Sequence, residues 1–378
     1  MTDRVAIIGA GIAGFAAGLA CRQLDIEFQL FDAAADPLAG GAAITLWPNA
    51  LRALSELGIG DLGSGVAANA ITQGGIATDW GAVLYQLPLD WMRKQYGCFP
   101  VCVRRDVLLL AMYEALSRPK IAHARVQTVL EQTDGVMVEG SHGRFAYDAA
   151  VIADGIHSQA RHHIHPVQPR PTRYTAWRGM AQGPVVDPAT MWEYWGEGVR
   201  FGYASISPHA TYWFATVNHR LLGGQDASWD VARRLFAGFP APVRACIAAT
   251  PDADVLRHRV QDLPPGCPMA QGRMVLMGDA AHAITPNLGF GGALAMEDAA
   301  TWLYVVRNVG ISPAAFRIYA AQRRRRVREM AYATRQFGDV MQWQNKGIAH
   351  MRNTVFRIAA PIAGRLLWRR LLGSTGRP

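Results

Sequence analysis

Three glycines stand at positions 9, 11 and 14, between an apolar run, Val5-Ala6-Ile7-Ile8, and a stretch rich in Ala and Leu. Their spacing can hold a pyrophosphate. Gly9 permits a tight turn, Gly11 lets a phosphate approach the backbone, and Gly14 lets a helix pack closely on a strand. Ala13 lies in the same turn. The free N–H groups at the start of the following helix would face the anion. Asp32, eighteen residues past Gly14, closes a second apolar run and suits a pair of ribose hydroxyls. In this context the glycines imply dinucleotide binding, against the alternative of a glycine-rich turn with no ligand. They do not choose between FAD and NAD.

Two later segments carry more. Ala153-Asp154-Gly155-Ile156-His157-Ser158 is followed by Arg161. Asp154 would close a strand and accept hydrogen bonds from the glycine-rich turn. Ser158 and Arg161 would orient the next helix, and a plain strand-to-helix turn with a cap is the alternative. The third segment runs from Arg273 through Gly278-Asp279-Ala280-Ala281-His282 to Pro286-Asn287-Leu288-Gly289-Phe290-Gly291-Gly292. It reads as a short buried strand, a loop and a helix start.

In this order the three segments resemble the single-component FAD-dependent aromatic hydroxylases, which share the fold of p-hydroxybenzoate hydroxylase. The resemblance covers nearly the whole chain and implies FAD as cofactor, with NADH or NADPH as a transient co-substrate. It places Asp154 near the flavin pyrophosphate and the nicotinamide, and Asp279 on the ribityl chain. Gly289, Gly291 and Gly292 would pass the flavin ring, where helix N–H groups stabilise charge at N1–C2=O. Pro286 would face the oxygen-reacting side. Arg105 would open a helix and contact the flavin or its phosphates, with Arg104 as its rival. Residues 42–49 would lead past the flavin. The implied cycle reduces FAD, forms a C4a-hydroperoxide with O2 and hydroxylates an electron-rich ring. With no second glycine motif, no separate nicotinamide domain is expected. The alternatives are other FAD chemistry on this fold (an epoxidase or a reductase), or a non-catalytic flavin-dependent ligand-binding protein. The Trp-x-Trp-x-Ile-Pro motif of halogenases is absent.

Two positions depart from the family pattern: Phe290 stands where Gln is common, and Asp25 ends a helix where Gly is usual. On the substrate side, Arg200 and Tyr212 match substrate-contacting positions of urate hydroxylase-like members. The third partner there is an Asp, and here it is Asn287, whose amide cannot act as a carboxylate base. For Arg200 an orienting or packing role stands beside a direct contact. The stretches Ser205-Ile-Ser-Pro208 and Tyr212-Trp213-Phe214, with residues 286–289, look closest to alkylquinolone hydroxylases. The implied catalytic set is therefore Pro286, Asn287, Arg200 and Tyr212, acting on a small phenol- or quinolone-like aromatic substrate with O2.

These residues need an α/β frame. Residues 1–32 read as strand, turn, helix and strand, a parallel βαβ unit. Helices are expected over 48–57, 105–116, 291–306 and 314–336. Between Pro169 and Pro264 aromatics alternate as in an antiparallel sheet. The expected architecture is a Rossmann-like FAD-binding domain formed by 1–168 and 266–378, interrupted by a substrate domain at 169–265 and ending in a helical segment.

Composition narrows the class. Half of the 378 residues are hydrophobic and 18% are charged, which suits a large buried core. No apolar run is long enough to span a membrane. No charged and apolar leader pattern opens the sequence, so a cytoplasmic protein is expected. The five cysteines are scattered, and His162, His163 and His165 fit no zinc spacing, so no metal is expected. The net charge is +9, but residues 317–378 hold fourteen Lys/Arg and two Asp/Glu, or +12, leaving −3 for the rest. That basic segment reads as a solvated helical face over the FAD domain, or as an amphipathic helix peripheral to an anionic membrane. No nucleic-acid module is present, and oligomeric state is open.

Overall fold

The computed structural model describes residues 3–60, 68–141, 143–224 and 228–373. Its first sheet has six strands in the order 270–271, 274–276, 149–152, 4–8, 27–32 and 121–123. All neighbours are parallel except the first pair. Parallel central strands are covered on both faces, so they read as unbroken apolar runs. Val5–Ile8 and Ala149–Ile152 are indeed buried throughout. The helix Ile12–Gln23 leaves the first strand through the glycine turn, and its Ala-rich body packs on Gly291–Val309. The chain goes one way from the central strand to Glu27–Asp32 and the other way to Ala149–Ile152, which leaves a crevice at their carboxyl ends.

Asp25 adopts φ +55°. Asp tolerates this left-handed conformation better than most residues, because its short polar side chain bonds locally. That is how the chain turns here without the usual glycine.

A second sheet has seven strands in the order 256–262, 170–182, 210–218, 199–207, 190–195, 73–78 and 83–86. It is antiparallel apart from the pair formed by Gln73–Thr78 and Thr190–Trp195. Two of its strands thus come from before residue 100, which the aromatic pattern of 169–264 did not announce. Side chains alternate between its faces. One face buries Trp177, Phe201, Tyr203 and Trp213 beneath Phe236 and Val243. The other carries Arg200, Tyr212 and Phe214 and turns toward the FAD domain.

The long helix expected over 314–336 spans Pro313–Met341, and its Ser312 cap accepts a hydrogen bond from Ala315 N–H. The helix Lys346–Leu372 follows. The basic segment is not a uniformly solvated face. Arg323 and Arg352 are buried, and Arg326 is largely so. Arg326 donates to the carbonyls of Arg370 and Leu371, closing the end of the final helix.

Candidate active site

The crevice is a cleft of about 450 Å³ lined by Gly9, Gly11, Asp32, Arg105, Asp154 and Gly155. Gly9 has φ +102°, and a Cβ there would lie 2.4 Å from the Ala153 carbonyl oxygen. A Cβ on Gly14 would lie 1.8 Å from the Gly9 oxygen. One on Gly11 would meet only Arg105 Nη2 at 3.7 Å, so its open side faces the cleft. Asp32 is held at the strand end. Its Oδ2 accepts from Ala10 N–H at 2.7 Å and its Oδ1 from Ala34 N–H at 2.7 Å.

The glycine turn therefore donates to Asp32, not to Asp154 as the sequence implied. Asp154 Oδ1 is buried without a partner. Burial raises its pKa, opposed by Ser158 and Arg161. Ser158 caps the next helix by accepting from Arg161 N–H at 2.9 Å. The two neighbouring arginines separate cleanly. Arg104 turns outward and pairs with Asp106, while Arg105 runs over Gly41, which has no Cβ to obstruct it, into the cleft. A glycine cradle, a fixed ribose-type acid and a carboxylate with one buried, unpaired oxygen fit a dinucleotide such as FAD.

The Gly278-Asp279 turn follows the strand Met274–Leu276 and lies against the helix that leaves the glycine turn. Gly278 has φ +58°, and a Cβ there would lie 2.8 Å from that of Ala13, so the turn rests directly on the Ala13 methyl. Asp279 is exposed to solvent but crowded by protein on its other sides. That desolvation raises its pKa, partly offset by His282 and Arg105. Behind the turn lies a buried polar network. Asp298 accepts from Gly278 N–H (2.9 Å) and Arg323 Nε (2.7 Å), and its Oδ2 is 2.6 Å from His282 Nε2. His282 thus orders the loop. Glu297 pairs with Arg323 and Arg326 and accepts from Asn49. Burial opposes the charge of Glu297, but these arginines outweigh it and hold its pKa at about 2, below the ordinary 4.5. A depressed carboxyl pKa contributes stability above 4.5 that is lost as pH falls toward 2. Denaturant unfolding should therefore show the advantage of wild type over Glu297→Gln shrinking by about 3 kcal/mol across that window. A constant difference would mean the pair does not hold in solution.

On the other side of the loop, Pro286–Leu288 form one 3₁₀ turn and Gly289 follows at φ +69°. Asn287 is fully satisfied. Its Oδ1 accepts from Arg200 Nη1 (2.8 Å) and the Tyr174 hydroxyl (3.1 Å). Its Nδ2 donates to Thr285 Oγ1 (2.9 Å) and the Thr334 carbonyl (3.0 Å). An aspartate here would set an oxygen against that carbonyl, so the amide is what this frame requires. Gly338 makes the approach feasible, since a Cβ there would lie 2.1 Å from Asn287 Nδ2. Arg200 is buried, and its Nε donates to Glu193 at 2.7 Å. Trp195 Nε1 donates to the same carboxylate oxygen. Tyr212 shares the sheet face, and no described residue hydrogen-bonds its hydroxyl. Burial raises its pKa, which keeps the phenol a neutral donor.

The family model for an FAD binding domain matches residues 266–333. The chain is 32% identical to the aurachin C monooxygenase/isomerase of Stigmatella aurantiaca, over 94% of both chains. It is equally 32% identical to the 2-heptyl-3-hydroxy-4(1H)-quinolone synthase of Pseudomonas aeruginosa, over 98% of both. The crystal structure of Klebsiella pneumoniae HpxO with FAD and uric acid superposes with a TM-score of 0.90. There the identity is 29%, and 99% of this chain and 98% of that one are covered. This chain belongs to the FAD-dependent aromatic monooxygenases. As a monooxygenase of this family it binds FAD and takes electrons from NADH or NADPH.

Within the monooxygenase, Phe290 does not reach the pocket. It is buried and stacked on Trp47 with centroids 6.0 Å apart, and Trp47 rests in turn on Trp368 of the final helix. The Gln-to-Phe departure is a core contact that fastens residues 42–49 to the C-terminal segment. Sequence reasoning missed Glu193. Its signal was an acid inside an aromatic strand, Trp192-Glu193-Tyr194-Trp195, at an inward-facing position. Among the described residues no group of three or more His, Cys, Asp or Glu is placed to hold a metal.

Proposed function

We propose that this monooxygenase hydroxylates a neutral, flat heteroaromatic ring of the quinolone type, bearing apolar substituents. The supporting observation is the contrast between the two faces of the seven-stranded sheet. The outer face is sealed, with Trp177, Phe201 and Trp213 buried. On the inner face Met180, Met191, Tyr212 and Phe214 are only half buried, with half-buried Phe337 opposite. They present apolar surface to whatever lies between sheet and flavin. Arg200 adds no free charge, because Glu193 and Asn287 occupy it. This argues against a urate-like anion and for a neutral ring.

The chain's own groups would divide the work as follows. Gly9, Gly11, Gly14, Asp32, Arg105 and Asp154 hold the dinucleotide, and the Ala13 methyl supports the Gly278-Asp279 turn. Asp279, Gly289, Gly291 and Gly292 border the flavin. Bound FAD supplies hydride acceptance from NADH or NADPH and the activation of O2. Pro286 keeps one ring face narrow and dry, which favours oxygen transfer over leakage to water. Tyr212 donates to the substrate oxygen. Asn287 and Arg200 form a rigid floor that sets the ring's tilt, and positioning of this kind supplies much of a barrier reduction. No carboxylate stands where urate hydroxylase-like members carry one, so ring activation rests on the substrate's own electron-rich enol or enamine.

The test is NAD(P)H oxidation by the holoprotein with isotopically labelled O2 and a panel of alkylquinolones, salicylate and urate. An alkylquinolone should speed flavin reduction at least about tenfold and gain one labelled oxygen atom, in line with substrate binding that assembles the reactive site. Preference for urate or salicylate would overturn the assignment.

A further inference from the structure

We propose that the final helix, Lys346–Leu372, is a docking surface for an anionic lipid bilayer, lying in the plane of the headgroups. One side of it is already used. Phe356 packs on Tyr85 and Trp195, a Cβ at Gly364 would collide with the Tyr85 hydroxyl, and Trp368 sits on Trp47. The opposite side carries Ile348, Met351, Val355, Ile358, Ile362 and Leu366, all exposed, with Ile362 81% and Leu366 72% accessible. Steps of three and four residues place them in one stripe, about 27 Å long at the helical rise. Soluble proteins seldom leave so continuous an apolar strip in water.

Charge selects the occupant. The helix contains no Asp or Glu, and the exposed Arg365 and Arg369 flank the stripe, while Arg370 pairs with Glu329 of the preceding helix. A second copy of the chain would bring two such arginine rims together, each within a segment of +12. An anionic headgroup layer would instead neutralise them while its acyl boundary takes the isoleucines, the mode of interfacial amphipathic helices. Spanning is not the mode, since no described helix is long and apolar enough to cross a membrane. The helix's inner side rests on Trp195, whose indole bonds Glu193, the partner of Arg200. The docked surface therefore adjoins the substrate-facing sheet. The proposal does not depend on which ring is hydroxylated.

The experiment is co-sedimentation of the holoprotein with vesicles of phosphatidylcholine alone or mixed with phosphatidylglycerol, alongside light scattering of the free protein. The mixed vesicles should bind at least about tenfold more protein, with binding falling as salt rises. Ile358→Glu/Ile362→Glu and Arg365→Glu/Arg369→Glu should each lose at least about tenfold of that partition. Because the four side chains are solvent-facing, flavin content and thermal midpoint should not change. If the double variants lose flavin, single Ile362→Gln and Arg365→Gln carry the measurement. Equal weak binding to both vesicle types, undiminished binding by the glutamate variants, or a wild-type dimer dispersed by Ile358→Glu/Ile362→Glu would each overturn the proposal.

Discussion

Gly11→Ala is expected to leave the apoprotein as stable as the parent while weakening FAD binding at least about 100-fold, or roughly 3 kcal/mol. Gly14→Ala is expected to damage both. The two glycines sit in one turn, yet their missing Cβ atoms serve different partners. At Gly14 the added carbon would lie 1.8 Å from the Gly9 oxygen, so strand and helix must part before any ligand arrives. Overpacking of that kind costs about 1–3 kcal/mol or more. At Gly11 the backbone has φ −85°, open to any residue, and the added carbon would meet only the tip of Arg105. The protein has room for it, and the pyrophosphate does not. Flavin titration of stripped protein, paired with denaturant unfolding, reads the two effects separately. If Gly11→Ala bound FAD like the parent, the turn would not face the phosphates and the cleft assignment would fall.

That pair also shows why the cofactor side was legible in the sequence. Gly14 and Asp32 answer to partners within one βαβ unit, and Gly9 and Gly278 stand where the backbone takes positive φ, and such demands leave residue types at fixed spacing. The substrate side answers to neighbours far along the chain. Asn287 is an amide because the Thr334 carbonyl stands beside it, 47 residues away. Phe290 is aromatic because the Trp47 ring offers it a stacking face. Gln73–Thr78 is a strand in the second sheet because Thr190–Trp195 offers an edge. In the basic tail, charge counting alone could not tell Arg323, Arg326 and Arg352 from the arginines that rim the final helix. The former are buried or largely so only because Glu297, Asp298 and the Gly196 and Met341 carbonyls receive them.

Glu193→Gln is expected to destabilise the protein by about 3 kcal/mol and to lower kcat/KM about 100-fold. Among the described residues the Glu193 carboxylate is the counter-charge paired with Arg200, whose side chain is 1% exposed. Removing a single partner of a buried pair leaves an uncompensated cation, which costs about 3–5 kcal/mol. Arg200 would then pull away from Asn287 toward water or another acceptor, and the floor under the substrate would tilt. Stability loss alone could produce a low rate, so the double variant Glu193→Gln/Arg200→Met decides the matter. It removes both charges while keeping most of the side-chain volume, and such replacements are often neutral or stabilising. Denaturant unfolding should recover most of the lost stability. The rate should stay about 100-fold down with FAD fully bound, because the hydrogen bond that fixes Asn287 is gone and orientation of this kind is worth that much. Recovery of parental kcat/KM by the double variant would mean that the Glu193–Arg200–Asn287 chain only fills the interior. Arg200 and Asn287 would then leave the active site, and Tyr212 and the half-buried apolar face would have to orient the ring unaided.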